Sequence, residues 1–209
     1  MTINNLEIIK SLLKWEDQND FYFVQILIRR KDNPNNKSNS SVIKSYYISS
    51  MESLEKLFPE MILLAKLYNA RVYINLNRRN YEKLAFQMLK KITDCIINKD
   101  FKNVKRSYDA VCGAYSNERE TKKWIVDIDG VNLQQEELIH AKITESGGVV
   151  YIKMPTVNGI HFITSTFNTY NFAKEMGDLK EHVLFDALEM PEIKKNNPSL
   201  LYYSDEPYK

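Results

Sequence analysis

No apolar run in the chain reaches the roughly eighteen residues that a membrane-crossing helix needs, which excludes a helical membrane protein and a membrane partner of that kind. No secretory leader is expected either. The first residues, MTINNLEIIKSLLKWEDQ, carry Glu7 and Asp17 where a leader has a basic start and an unbroken apolar segment, so a cytoplasmic location is expected. Cysteine is scarce: Cys95 and Cys112 are the only two, and they form no metal-binding pattern. That excludes a disulfide scaffold and a zinc framework, and leaves two reduced thiols as the expectation, with a single disulfide as the alternative. The phosphate-loop pattern GxxxxGK[ST] is absent, as are HExxH and CxxC, so a Walker-type NTPase and the common zinc enzymes are excluded. No internal repeat and no linker-like stretch interrupts the chain.

What is present reads as globular protein. The 209 residues are 44% hydrophobic and 27% charged, enough to bury a proper core. Net charge is +2, but it is unevenly spread. Residues 1–123 hold 22 Lys and Arg against 14 Asp and Glu, and residues 124–209 hold 7 against 13. All seven arginines fall in the first part. A basic half suits a polyanion such as nucleic acid, and an acidic half suits a metal centre. Surfaces with neither role also differ in charge in this way. The expected organisation is one compact domain over 1–209, with a basic N-terminal α/β portion (1–120) and an acidic portion (121–209).

Strand and helix patterns alternate, which predicts a mixed α/β (α+β) fold. A helix is expected over 3–15, then strands at 21–30 and 42–49 joined by the polar loop 31–41. Ser50 caps an expected helix over 51–68, and a strand follows at 70–78. Over 80–100, Leu84, Ala85, Met88, Leu89, Ile92, Cys95 and Ile96 share one helical face. Residues 101–117 read as a further helix, 122–129 as a strand and 133–145 as a helix. Strands at 149–155 and 159–166 precede a short helix over 168–177, closed by Gly177 as a C-cap. Residues 182–190 fit either a strand or a helix, and a final strand ends the chain.

Within the 122–129 strand stands WIVDIDG, residues 124–130. Asp127 and Asp129 point the same way from a strand, and two neighbouring carboxylates repel each other. A divalent cation would compensate; so would a strand end at which both reach water. Downstream, PTVNGIHFIT (155–164) turns through Asn158 and Gly159 into a strand that carries His161. Thr156, Asn158 and the backbone around Gly159 can grip a phosphate beside that imidazole. The alternative is a hairpin with a satisfied, half-buried histidine.

IVDID (125–129) followed by TVNGIH (156–161) resembles the catalytic core of the archaeo-eukaryotic primases and primase-polymerases, over residues 120–190. That family carries an hhDhD motif, an S/T-x-x-G-x-H-like motif and an apolar run that ends in a third aspartate. VLFD (183–186) is the best match to the last, with Asp178 and Asp205 as other candidates for the third ligand. Position 156 is Thr, and the basic residue often found near the second motif is absent. The resemblance implies an N-terminal α/β unit packed on an RRM-like mixed sheet. It implies a metal-dependent nucleotidyltransferase that polymerises nucleotides on a DNA template. Asp127, Asp129 and Asp186 would hold Mg²⁺ or Mn²⁺, and His161 with Thr156, Asn158 and Gly159 would bind the nucleoside triphosphate. Asp127, Asp129 and His161 would be the catalytic set. The template would fall to the basic half: Arg78 and Arg79, then Arg29, Arg30 and Lys31 beside the long loop, and Lys122 and Lys123. Each of these is equally well read as a solvated strand end. Tyr46, Tyr47 and Tyr73 would stack on bases or serve the core. A helicase or other replication partner belongs to the same expectation. The small size and Asn/Lys-rich composition suit a phage or mobile-element protein. Two rivals remain: a metal-dependent nuclease that uses the same carboxylates, and a non-catalytic phage-type binding protein that keeps the fold.

Overall fold

A computed structural model describes residues 1–114, 121–130, 132–180 and 190–206. Asp186 and the rest of 181–189 lie outside them. The chain divides into two units, Met1–Arg119 with Pro198–Lys209, and Glu120–Asn197. Helices and antiparallel sheets make up both, a mixed α+β architecture. No helix among the described residues is long and apolar enough to cross a membrane.

The first unit runs β1 (Thr2–Asn4), α1 (Leu6–Lys10), β2 (Asp20–Arg29), β3 (Ser40–Ile48), α2 (Met51–Leu67), β4 (Arg71–Ile74), β5 (Arg79–Asn80) and α3 (Tyr81–Ile97). A 3-10 turn (Phe101–Arg106) and α4 (Ser107–Ala114) follow, and the last strand of the chain, β10 (Ser199–Ser204), returns to it. The sheet order is β1-β10-β4-β2-β3, with β5 on the start of β2 and every pair antiparallel. β2 is apolar almost throughout because both its faces are covered. Phe21 and Phe23 meet Leu84, Val111 and Cys112 of α3 and α4 on one side. α2 contacts β2, β4 and β10, and buries Leu54, Phe58, Met61 and Ala65. Ser50 caps α2 as its sequence signals: its side chain accepts the Ser53 N–H at 3.0 Å. Cys95 and Cys112 are free and buried.

Two expectations change here. The helix expected over 3–15 is only Leu6–Lys10, because Thr2–Asn4 pair with β10 and the buried Asn5 amide donates to Leu200 O at 2.9 Å. Past α1 the chain is held by the Tyr22 hydroxyl, which accepts the Lys14 N–H at 2.9 Å and so replaces a helical bond. The C-terminal strand, grouped by charge with the acidic portion, belongs to the first sheet. Leu200, Leu201, Tyr202 and Tyr203 are buried on both of its faces, and only an interior position covers both.

The second unit runs β6 (Trp124–Asp129), α5 (Leu133–Glu145), β7 (Val150–Pro155), β8 (Gly159–Thr164), α6 (Thr169–Lys180) and β9 (Glu192–Lys194). Its sheet order is β7-β8-β6-β9, again all antiparallel rather than mixed in direction. This is the split β-α-β-β-α-β connectivity, with the first and third strands of the unit at the centre. Val126, Ile128 and Phe162 pack against Ile139 and Ile143 of α5 and Phe172 and Met176 of α6. Each such side chain contributes about 1.5–3 kcal/mol by leaving water. α6 does not stop at Gly177 but continues to Lys180, and a Cβ at that glycine would meet open space.

Candidate functional site

In β6 the pleat decides the roles. Val126 and Ile128 point into the helix-covered core, so Asp127 and Asp129 project from the opposite face. Antiparallel register sets Asp127 directly across from His161 and Asp129 across from Gly159. His161 is buried, Asp127 keeps 18% of its side chain exposed, and Asp129 is exposed at the strand end. His161 Nε2 lies 3.1 Å from Asp127 Oδ1. The other oxygen of Asp127 accepts from the Lys194 ammonium, whose strand pairs along the far edge of β6. Lys194 also lies 3.1 Å from Glu192 Oε2.

Burial alone would push the Asp127 carboxyl up. The hydrogen bonds and charges of His161 and Lys194 outweigh it and hold the group down at about 2. Lys194 loses solvation by burial, yet its bonds to Asp127 and Glu192 raise its ammonium above the ordinary lysine range. The Asp127 carboxylate is therefore satisfied from within the chain, by an imidazole and an ammonium. Beside them a cleft of about 190 Å³ is lined by Asp127, Ile128, Asp129, Met190, Pro191 and Glu192.

The turn before His161 is closed on itself. Thr156 N–H donates to Gly159 O at 2.8 Å, and Gly159 N–H donates to Thr156 Oγ1 at 3.1 Å. Asn158 is exposed, and its carbonyl accepts the Gly130 N–H at 3.3 Å. Gly159 has a steric reason: a Cβ there would stand 2.0 Å from Ile128 O. The glycine lets β8 start against the β6 backbone, and its own N–H is already spent within the turn.

Two carboxylates on one strand face are hard oxygen donors and suit Mg²⁺ or Mn²⁺ in kind. Among the described residues, however, no group of three His, Cys, Asp or Glu side chains is placed to hold a metal. A divalent ion at Asp127 must also compete with the Lys194 ammonium. The donor set fits such an ion only once Lys194 withdraws. Of the other candidates for a third ligand, Asp178 is exposed on α6, and Asp205 accepts from the Met1 ammonium in the first unit.

Several residues expected at a template are otherwise engaged. Arg79 is fully buried, with Nε donating to Cys112 O at 2.8 Å and Nη1 to Asn77 O. Its target is the carbonyl end of α4, where a cation is favoured, and it is not at the surface. Arg78 pairs with Glu16 at 2.8 Å and with Asp20 at 3.2 Å, its side chain 13% exposed. Arg29 donates to Tyr73 Oη at 3.2 Å, Arg30 is exposed, and Lys122 and Lys123 are half-buried. Tyr46 and Tyr73 are buried, and Tyr47 donates to Asp109 Oδ1 at 2.5 Å, so all three serve the interior. Lys194 was not anticipated. Its only signal is the alternation in EIK (192–194), which becomes readable once β9 is known to pair with β6.

No protein-family model matches the chain, and no curated protein and no solved structure matches it.

Proposed function

We propose that the chain is a nucleotidyltransferase of the primase-polymerase type, taking nucleoside triphosphates and a nucleic-acid template. The observation that supports this is the cross-strand pairing of Asp127 with His161, with Asp129 further along the same face beside the cleft. The split β-α-β-β-α-β order agrees with the RRM-like sheet of that reading. Asp127 fixes the His161 ring, and Lys194 is a cation able to pass from carboxylate to phosphate. Asp127 and Asp129 would hold Mg²⁺ or Mn²⁺, which supplies charge neutralisation and alignment of the phosphates. A replication partner such as a helicase, and a phage or mobile-element origin, go with the same reading.

One observation favours a second reading, a non-catalytic binding protein that keeps the fold: the Lys194 ammonium already neutralises Asp127. Calorimetry with Mn²⁺, with and without a deoxynucleoside triphosphate, separates the two. It is run on the native chain and on the Asp127→Ala/Asp129→Ala variant, beside incorporation of labelled nucleotide on an oligonucleotide template. Polymerase chemistry requires binding that strengthens with triphosphate, incorporation by the native chain, and loss of both in the variant. Silence in every arm sinks it and leaves the binding protein. Loss of the template in place of extension would identify a nuclease.

A further inference from the structure

The arginines that the sequence offers to a polyanion are engaged in the fold except for Arg30, and a cluster of unengaged cations lies elsewhere. Lys83 and Lys90 on α3, and Lys102, Lys105 and Arg106 on the 3-10 turn after it, are exposed. None of them makes a side-chain hydrogen bond or ion pair with another described residue. Phe86 is 65% exposed, and Lys83 three residues before it and Lys90 four after it share its side of the helix. Phe101 is 63% exposed. A cleft of about 390 Å³ is lined by Phe101, Lys102, Asn103, Lys105 and Arg106. The acidic residues in this stretch are Glu82, Asp94 and Asp100, the last already accepting from the Asn103 amide at 2.6 Å.

Lone exposed lysines are ordinary. Two wet phenyl rings, each set among uncompensated cations and one of them in a cleft lined by three positive side chains, are a different pattern. Cations that track a phosphate backbone, alternating with rings on which bases stack, are how single-stranded nucleic acid is held without reading its sequence. We propose that α3 and the following 3-10 turn form a binding face for single-stranded nucleic acid. Phosphates lie against Lys83, Lys90, Lys102, Lys105 and Arg106, and bases lie on Phe86 and Phe101. The inference rests on the reading above in taking nucleic acid as the polyanion, but it needs neither metal nor catalysis.

The test is fluorescence anisotropy of a labelled oligo(dT) 20-mer titrated with the full chain in EDTA, at several salt concentrations. Lys102→Glu/Lys105→Glu/Arg106→Glu should weaken binding more than tenfold and flatten the salt dependence by about 0.7 for each phosphate no longer neutralised. Phe86→Ala/Phe101→Ala should weaken binding several-fold and leave that slope unchanged, a split that lost folding would not produce. All the altered side chains are exposed, and a thermal melt checks that each variant is folded. The proposal is overturned if the native chain does not bind the oligonucleotide, or if the charge reversals leave binding intact. It is equally overturned if the chain instead binds phosphatidylserine vesicles through Phe86 and Lys90. Oligonucleotide binding that depends on this face without nucleotide incorporation would sink the polymerase reading and leave the face standing. Incorporation that is indifferent to these variants would do the reverse.

Discussion

Two half-buried aspartates, one in each unit, show how differently a carboxylate can be held. Asp32 receives Nε and Nη2 of Arg71 at 2.6 and 2.5 Å, with the two side chains 10% and 5% exposed. The guanidinium also lies 4.8 Å from the centre of the Tyr203 ring. Both carboxylate oxygens meet one rigid, planar donor, so the pair is closed and structural. Asp127 instead divides its oxygens between an imidazole and a flexible lysine, beside a second, exposed carboxylate and a cleft. A fork cannot be exchanged piecemeal, whereas an ammonium on four methylenes can leave. Partial burial is common to both, and the partner's stiffness separates scaffold from candidate site.

The comparison is broken most severely at Asp32. Asp32→Ala strands the Arg71 guanidinium and should cost about 3–5 kcal/mol in urea unfolding. A loss near the ~1 kcal/mol of a surface pair would mean that the pair is not structural. Next comes the close strand approach beneath the second aspartate. Gly159→Ala drives a methyl group into the Ile128 carbonyl and should cost about 3 kcal/mol, while Gly177→Ala, in open space on α6, should gain up to about 1 kcal/mol. Equal effects of the two would refute the close approach.

Acid titration comes third. Asp127 titrates at about 2 in the fold against an ordinary 3.8, so its stabilisation is fully present above pH 4 and is lost as the pH falls towards 2. The difference is worth about 2 kcal/mol. Asp127→Asn should flatten that part of the stability profile, and an unchanged profile would contradict the pairing with His161 and Lys194. The smallest expected effect is the most pointed. Lys194→Met removes one of the two partners of Asp127, so it should cost no more than the ~2 kcal/mol that both supply, and it should raise Mn²⁺ affinity about tenfold, equivalent to ~1.4 kcal/mol. Unchanged affinity would show that the ammonium does not compete with metal at Asp127.

Much of the fold was legible because its signals are local. Asn132 caps α5 with Gln135 in return, and the helix runs Leu133–Glu145 as its pattern indicates. The alternation in WIVDID correctly places both aspartates on one side of a strand. Arg78 and Arg79 show where local reading stops. Adjacent, equally basic and at the mouth of a helix, they look alike in sequence, yet one is ion-paired near the surface and the other is fully buried. The apolar face assigned to α3 is also too wide. Leu84 and Cys95 are buried while Leu89 and Ile96 are exposed, since periodicity counts apolar residues without knowing how much neighbouring surface is there to cover them.

The sequence by itself determined the longer strands and helices but not the short β1, β5 and β9, together with the placing of Asp127 and Asp129 on one face and the turn that carries His161. These depend on side-chain periodicity and on capping within a few residues. The tertiary structure alone decided that β10 joins β4, that His161 faces Asp127, and that Lys194 arrives from β9 to neutralise it. Those pairings join residues far apart in the chain, and their free energy comes from burial and charge pairing that no local window contains.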